Sequence, residues 1–276
     1  MSILSGKEFN KLYYNKDFYK CINPDYKHYN FTYKHGLNID ILPFQPIEEC
    51  LPGGLYFTEF DKLFMYVDPK CYICKVTIPD DASVYIEKNK FKTDRIFVDL
   101  NNKIKLGDLP HWNDIDFCNN SVKQYGWLLK YVKEEFQTKE LCEIAVLHGG
   151  NGLEYVCDKF HTEELYKLAL KKAGCALQYV KKNLKTEELC LIAVKQYWWA
   201  IIHIDEHLQT EEICKIALDK TAATFKYICE RCQTEEICKM AIKNDPYIVY
   251  HIHKNKLTEN LCNFYSEITG KQFIVK

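Results

Sequence analysis

The 276-residue chain has a net charge of −1 at pH 7, because its 37 lysines and arginines nearly balance its 38 aspartates and glutamates. This balance lacks the basic footprint that non-specific nucleic-acid binding requires, so we expect no nucleic-acid partner. The sequence has no signal-peptide pattern and no apolar run long enough to cross a bilayer, so we expect an intracellular protein without a membrane partner. The length is sufficient for two domains.

Residues 1–110 are rich in aromatic residues and carry most of the prolines. Short alternating apolar runs in this region predict strands. The predicted strands are Gly54–Thr58, Cys71–Ile78, Ser83–Ile86 and Arg95–Val98. Pro52–Gly54 and Pro79–Asp81 predict turns, and a helix is expected over Glu59–Val67. The sequence therefore predicts a small α+β domain, followed by a linker over Asn101–Trp112.

From residue 114 to the end, the chain is built from a 24-residue unit that repeats without an insertion. Each unit opens on a threonine, or on an aspartate in the first unit, which we number as position 0. Such a side chain caps a helix by accepting a hydrogen bond from a free backbone N–H. The predicted caps are Asp114, Thr138, Thr162, Thr186, Thr210, Thr234 and Thr258. Six full units therefore begin at residues 114 to 234, and a partial capping unit begins at residue 258.

Each unit is predicted to be a helical hairpin. Apolar residues at positions 3, 4, 7 and 8 form one helical stripe, and a second stripe follows a turn at position 12. Alanine at position 7 allows neighbouring helices to approach closely. The predicted repeat core includes Leu141, Ala145, Leu189, Ala193, Ile213, Ala217, Ile237 and Ala241. We expect an all-α right-handed solenoid of helical hairpins over residues 114–276.

The register also predicts the effect of substitutions in the unit that begins at Thr186. A large charged residue in place of Ala193 should unfold the array, because position 7 lies in the core. Replacing Lys195 or Gln196 should leave the melting curve unchanged, because positions 9 and 10 are expected to face solvent.

The fourteen cysteines could indicate disulfides or metal ligands. Six of them occupy position 4 of the repeat, where a free cysteine behaves as a small hydrophobic residue. The two Cys-x-x-Cys pairs, Cys71 with Cys74 and Cys229 with Cys232, lack a matching second pair of ligands. We therefore expect no metal site and no disulfide. His203 and His251 replace tyrosine at position 17, where a place at the edge of the core is the simpler interpretation.

Several sequence segments resemble those of known proteins. Tyr33–Asp40, Cys50–Thr58 and Val76–Tyr85 resemble an uncharacterised N-terminal module found in proteins of mimivirus-like giant DNA viruses of amoebae. The 24-residue array resembles short helical repeats of unknown function that those viruses encode in many copies. Together the resemblances cover nearly all of the chain, and neither family brings an activity with it. They imply a viral protein located in the host cytoplasm or in the virion.

A second resemblance, to ADP-ribosyltransferase folds, concerns the predicted α+β domain. His35–Gly36, the strand Gly54–Phe57 and the helix expected after it follow the order of the nicotinamide-binding elements in that fold. The resemblance implies NAD as a cofactor, with Tyr56 stacked on the nicotinamide ring. That chemistry also needs a carboxylate to stabilise an oxocarbenium-like transition state. Glu87 and Asp94 are candidates by position only.

Three classes of function stay open. The first is an interaction scaffold that binds another protein through the helical repeats, as solenoids generally do. The second is an NAD-linked enzyme, active or degenerate, which the repeats direct to its target. The third is a virion or assembly component that forms a homo-oligomer. Because no catalytic carboxylate can be placed, binding without catalysis and without a cofactor is favoured.

Overall fold

The computed structural model describes residues 3–28, 30–47 and 52–273. The chain divides into two compact units, Met1–Trp112 and Asn113–Lys276. The first is built mainly from strands and the second from successive helices, which confirms the predicted α+β domain followed by a helical repeat solenoid. The right-handed sense of the solenoid stays a prediction. No helix within the described ranges is long and apolar enough to cross a membrane.

The first unit is an antiparallel sheet with one short α-helix. In chain order its elements are β1 Ile3–Ser5, α1 Gly6–Leu12, β2 Phe18–Ile22, β3 Lys27–His28, β4 Phe31–Thr32, β5 Gly36–Ile39, β6 Leu55–Glu59, β7 Tyr72–Thr77, β8 Ser83–Ile86, β9 Phe91–Thr93, β10 Arg95–Val98 and β11 Ile104–Lys105. The main sheet has the order β1-β8-β9-β6-β2-β7-β10-β5, with β11 paired to β7. Strands β3 and β4 form a separate hairpin.

A bend at Asp94 folds this sheet over its own core. Asp94 alone separates β9, which pairs with β6 and β8, from β10, which pairs with β5 and β7. The Asp94 carboxylate accepts a hydrogen bond from Ser83 N at 2.8 Å and pairs with Arg95 Nε at 3.1 Å. Strands that bend in this way turn the corners of folded sheets. The structure therefore gives Asp94, a candidate catalytic carboxylate by position, contacts that hold the corner.

The core beneath the bend is aromatic. Phe9 of α1 packs against Phe18, Phe57 and Phe91, and the ring centroids lie 5.0 to 5.7 Å apart. All four side chains are at least 94% buried. Aromatic rings at these separations contribute about 0.5–1.5 kcal/mol per pair beyond the burial of their area. This cluster fixes α1 on the sheet.

Two expectations for this unit are corrected. The segment expected to be a helix over Glu59–Val67 is a short 3-10 helix, Phe60–Met65. The segment interpreted as a linker, Asn101–Trp112, contains β11, and its Trp112 side chain is buried with the indole N–H donating to Leu106 O at 2.6 Å. Both segments thus belong to the fold of the first unit, and neither is a simple connection.

The second unit has one α-helix in each 24-residue repeat. The helices are α2 Ile115–Gln124, α3 Lys139–His148, α4 Glu163–Lys172, α5 Glu187–Gln196, α6 Glu211–Lys220, α7 Glu235–Asn244 and α8 Glu259–Thr269. In every repeat the side chain at position 0 accepts a hydrogen bond from the N–H at position 3, as Thr138 does from Leu141 at 3.1 Å. The helix begins at the same point of each repeat for this reason.

The predicted second helix of each repeat is a pair of 3-10 helices in place of three α-helical turns. The longer 3-10 helices are Gly126–Tyr131, Gly150–Tyr155, Gly174–Tyr179, Trp198–His203, Ala222–Tyr227 and Pro246–His251, and each is followed by a three-residue 3-10 helix. A six-residue 3-10 helix rises about 12 Å, close to the ~15 Å of a ten-residue α-helix. Because a 3-10 helix covers this length with fewer residues, the chain can return to the start of the next α-helix within 24 residues.

Close approach between repeats explains the glycine and alanine positions. A Cβ atom on Gly126, Gly150 or Gly174 would lie 2.2 to 2.7 Å from the carbonyl oxygen of the position-7 alanine in the next repeat. The core residues predicted from the register are at least 98% buried. Backbone thus packs on backbone in these three repeats, and a larger side chain in place of Gly126, Gly150 or Gly174 would collide with the next repeat.

A glutamine at position 23 joins successive repeats. Gln137 Nε2 donates to Tyr155 O of the next repeat at 3.0 Å, and Gln137 Oε1 accepts from Cys157 N at 2.8 Å. Gln209 makes the same two bonds to Tyr227 O and Cys229 N, at 2.9 and 2.8 Å. Both glutamine side chains are buried. They satisfy backbone groups that the 3-10 helices leave unpaired, which would otherwise be costly to bury.

Three of the six full repeats have a different residue at position 23, namely His161, Lys185 and Leu257. His161 Nε2 lies 2.9 Å from Val156 O within its own repeat, and Lys185 Nζ donates to His203 O of the next repeat at 2.8 Å. A lysine ammonium has three donors and no acceptor. Lys185 can therefore donate to the His203 carbonyl as a glutamine would, but it cannot accept a hydrogen bond from the N–H of Asp205.

The expectation of a neutral substitution at Gln196 is also corrected. Gln196 accepts a hydrogen bond from Gly174 N and donates one to Lys172 O, both in the preceding repeat. Its removal would leave these groups without that partner, so we now expect a loss of stability. Lys195 lies on the surface, 3.3 Å from Glu212, and the expectation of a small effect there is unchanged.

The Gln209→Leu substitution should lower the free energy of unfolding by about 2–4 kcal/mol, because it removes the partners of Tyr227 O and Cys229 N at the partly buried junction. Urea denaturation would measure the change. Gln178→Leu, at an exposed position, is the matched control and should change stability little. Equal effects of the two substitutions would contradict this account of the junction.

The converse substitution, Lys185→Gln, should raise the free energy of unfolding by about 0.5–1.5 kcal/mol, because glutamine can also accept from Asp205 N. The same denaturation experiment measures it. A destabilisation would show that the junction after Lys185 is built differently from the one after Gln209.

Candidate functional site

Ion pairs join charged side chains on the outer face of the α-helices in the second unit. Lys167 lies 2.7 Å from Glu163 in its own helix and 2.8 Å from Glu188 in the next. Lys215 repeats the arrangement two repeats later, at 2.7 Å from Glu211 and 2.8 Å from Glu236. Exposed pairs of this kind contribute only about 0–1 kcal/mol each. They keep the surroundings of these lysines charged and hydrated, while Ile216, Met240 and Phe264 line an open groove on the same face.

The longer 3-10 helices expose a different surface, which we call the aromatic edge. It consists of Tyr131, Tyr155, Tyr179, His203, Tyr227 and His251 at position 17, with Trp127, Trp199 and Tyr247 at position 13 and Ile202 and Tyr250 at position 16. Tyr247 is 73% exposed, Tyr250 66% and Ile202 46%. The longer 3-10 helices thus expose aromatic rings, whereas the exposed large apolar side chains on the α-helices of the repeats are aliphatic, namely Ile115, Leu147 and Ile268.

The backbone beneath the aromatic edge is fixed. The carbonyl groups of Tyr155 and Tyr227 accept hydrogen bonds from buried glutamines of the preceding repeat. Trp199 packs edge-on against Tyr227 of the next repeat, at 6.1 Å between ring centroids. Rigid aromatic side chains lose little conformational entropy on binding, which is why they are enriched in protein interfaces. This edge therefore has the composition and rigidity of a contact surface.

The first unit holds two adjoining pockets, of 160 and 230 Å³, which both have His28 and Tyr56 in their walls. Lys90 Nζ lies 4.3 Å from the centroid of the Tyr56 ring and 3.4 Å from the carboxylate of Glu87. Lys92, which is fully buried, lies 5.2 Å from the same ring. The Tyr56 ring is therefore in contact with ammonium groups at cation–π distance.

A buried lysine bridges the strands beneath these pockets. Lys20 of β2 donates a hydrogen bond to Tyr56 O at 2.6 Å, where the β2–β6 ladder has ended, and lies 4.7 Å from the Tyr33 ring. Burial lowers the pKa of Lys20 to about 8, and its electrostatic neighbours are the thiols of Cys21 and Cys74. Lys20 thus donates to a backbone carbonyl of β6 beyond the last residue pair of the β2–β6 ladder.

The three residues proposed for a nicotinamide site do not come together. Tyr56 and Glu87 are linked through Lys90. His35 is 54% exposed at its side chain, lies 3.7 Å from Asp99 and lines a separate groove with Gly36. Stacking of a nicotinamide ring on Tyr56 would require Lys90 to move. NAD as a cofactor stays a prediction.

Two features of these surfaces escaped the sequence reasoning. The glutamines at position 23 directly precede the threonine at position 0 of the next repeat, so the same 24-residue periodicity would have identified them. Lys20 stands between Phe18 and Ile22 on the buried face of β2, where alternation predicts an apolar residue. A charged residue in such a stripe is a signal that a buried polar contact exists.

The cysteines of the described residues are all free thiols. Within the same residues, no group of three or more histidine, cysteine, aspartate or glutamate side chains could hold a metal ion. The cysteines at position 4 are buried in all but the last repeat.

Comparison with known proteins gives a domain match and several relatives. A family model described as a domain of unknown function, DUF4116, matches residues 114–161 and again 162–209. Each copy of that domain thus spans two of the 24-residue repeats, beginning at Asp114 and at Thr162. No solved structure matches the chain.

Three putative ankyrin repeat proteins of Acanthamoeba polyphaga mimivirus are 32%, 35% and 38% identical to the chain over 92, 80 and 64 residues. The matches cover 30%, 28% and 23% of the chain, and 29%, 40% and 19% of the relatives. The chain thus spans less than half the length of these relatives.

These similarities support the resemblance to giant-virus repeat proteins, and nothing in them supports the resemblance to ADP-ribosyltransferases. The repeat of this chain also differs from an ankyrin repeat, which has about 33 residues and two α-helices. One α-helix and two 3-10 helices in each 24-residue repeat make a different structural unit.

The Lys20→Met substitution should remove a pH dependence of stability. Because the pKa of Lys20 falls from 10.5 to about 8 on folding, the unfolded chain binds more protons between these pH values, and stability rises with pH across that window. Relative to the variant, the wild-type free energy of unfolding should rise by about 3 kcal/mol across it. Urea denaturation at several pH values measures this.

The substitution of an exposed lysine, Lys70→Met, is the control. Its free energy of unfolding plotted against pH should run parallel to that of the wild type. A parallel curve for the Lys20 variant as well would mean that burial does not lower the pKa of Lys20.

Proposed function

We propose that the chain is a protein-interaction scaffold whose helical repeats bind a protein partner along the aromatic edge. The observation that carries this proposal is the contrast between the two faces of the repeats. The helix face pairs its own charges between repeats, as at Lys167, whereas the edge leaves large apolar side chains such as Tyr247 exposed.

The chemistry of the edge suits a polypeptide segment with apolar side chains. Tyrosine rings offer apolar area together with a hydroxyl group that can bond to backbone or carboxylate oxygens. Along the longer 3-10 helices, the lysine and acidic side chains are Lys130, Glu154 and Lys226, all at position 16. A partner held there would be recognised mainly by shape and apolar contact, and its affinity should depend weakly on salt.

The similarity to putative ankyrin repeat proteins supports a role in protein binding only in general terms, because ankyrin repeats and this array share the principle of stacked units that present an extended surface. The matched domain has no assigned function. Self-association as an assembly component is the alternative, and a capture experiment distinguishes it from binding of another protein.

The test compares two double variants of the full chain as bait in lysate of amoebal cells. The Ile202→Ser, Tyr247→Ser variant removes two exposed apolar side chains from the edge. The Lys171→Ser, Lys243→Ser variant changes two exposed residues on the helix face. We expect the edge variant to lose captured proteins by about tenfold or more, because truncation of aromatic contacts at an interface is costly.

The helix-face variant should retain the same proteins at wild-type amounts. Equal losses in both variants, or loss only in the helix-face variant, would place the binding surface elsewhere. Recovery of the chain's own copies alone, abolished by the edge variant, would replace the scaffold proposal with self-association.

A further inference from the structure

The second unit contains a cluster of three thiols in the repeat that begins at Thr210. Cys214 lies in α6, and Cys229 and Cys232 lie at the two ends of the short 3-10 turn that closes the same repeat. The Cys232 thiol interacts electrostatically with the thiols of both Cys229 and Cys214. Cys214 and Cys232 are 0% and 5% exposed, whereas Cys229 is partly exposed.

The backbone brings Cys229 and Cys232 to disulfide distance. Cys232 N donates to Cys229 O at 2.9 Å, which closes a turn between the two residues. The Cα atoms at the ends of such a turn lie within about 7 Å of each other. Disulfides form at Cα separations of about 4.4–6.8 Å. A cross-link therefore needs rotation of the side chains and little movement of the backbone.

We propose that Cys229 and Cys232 form a redox-active dithiol that peroxides oxidise to an intramolecular disulfide. The Cys229 thiolate attacks the peroxide, its S–O bond forms as the O–O bond breaks, and Cys229 becomes a sulfenic acid with release of water. The Cys232 thiol then displaces that hydroxyl group as a second water, and the S–S bond forms. In total, two thiols and one hydrogen peroxide give one disulfide and two waters.

The order of these steps follows from exposure. Cys229 is partly exposed to solvent, whereas Cys214 and Cys232 are buried, so the oxidant reacts first with Cys229. Burial raises the pKa of Cys214 and of Cys232, which keeps both as thiols until the sulfenic acid forms beside them. Cys232 then has the shorter path, because it shares the turn with Cys229.

Oxidation would also change the junction between repeats. The Cys232 thiol donates to Gln209 O at 3.1 Å, and Cys229 N donates to the side chain of the same glutamine. The disulfide removes the thiol donor but leaves the backbone N–H in place. The glutamine junction should therefore persist while one weak bond to Gln209 is lost.

An earlier repeat provides a matched control within the same chain. Cys142 and Cys157 occupy the positions that Cys214 and Cys229 occupy, and the two thiols influence each other. Position 22 of that repeat is Phe160, so no second cysteine shares the turn. This pair has the buried environment without the Cys-x-x-Cys geometry.

The experiment exposes the reduced full-length protein to hydrogen peroxide, alkylates the remaining thiols and digests the protein with trypsin for mass spectrometry. Arg231 lies between the two cysteines, so trypsin separates their peptides unless a disulfide joins them. We expect a peptide pair linked through Cys229 and Cys232, with fragmentation excluding Cys238, while Cys142 and Cys157 remain alkylated.

Two variants keep the proposal falsifiable if one fails to fold. In Cys232→Ser, oxidation should stop at a Cys229 sulfenic acid that dimedone labels, and in Cys229→Ser, Cys232 should stay alkylated. Alkylation of Cys229 and Cys232 to the same extent as Cys142 and Cys157 after peroxide would overturn the proposal. A disulfide that joins Cys232 to a second molecule, or Cys142 to Cys157, would overturn it as well.

Discussion

The repeats depend on the need to satisfy buried backbone groups at the junction between one repeat and the next. In the repeats that follow Gln137 and Gln209, the 3-10 return segment ends with a carbonyl at position 17 and an N–H at position 19 that bond to a side chain outside the segment. Gln137 and Gln209 reach from the preceding repeat to bond both. Because the partner comes from a neighbour, such a repeat cannot complete its hydrogen bonds alone, and stability becomes a property of adjacent pairs.

The same constraint separates the two surfaces of the array. The α-helices of successive repeats bring charges at fixed positions together, so Lys167 and Lys215 pair across the junctions. The 3-10 helices use their side chains at positions 14 and 15 for the core and turn positions 13, 16 and 17 outward. Aromatic residues at those outward positions stand on a backbone that the glutamines hold, which gives the chain a rigid apolar edge.

The sequence predicted the parts of the fold that follow from periodicity. The caps and the α-helical stripe were readable because Thr and Leu or Ile recur at fixed positions, and the strands around Tyr56 and Ile96 because apolar residues alternate there. The 3-10 character of the return segment was not readable, since a short apolar stripe fits either helix type. Lys20 and the bend at Asp94 depend on contacts between strands distant in sequence, which no local pattern specifies.

Residue-resolved hydrogen exchange of the native full chain tests the account of the junctions most directly. The amides of Cys157, Cys229 and His253 each donate a hydrogen bond to a glutamine at position 23 of the preceding repeat. Asp205 is at the equivalent position of its repeat, but the preceding repeat ends with Lys185, whose ammonium group cannot accept a hydrogen bond. We predict slow exchange at the first three and exchange at Asp205 faster by about tenfold or more, since an amide without a protein acceptor is protected less. Equal rates at Asp205 and Cys229 would contradict the claim that these glutamines hold the repeats together.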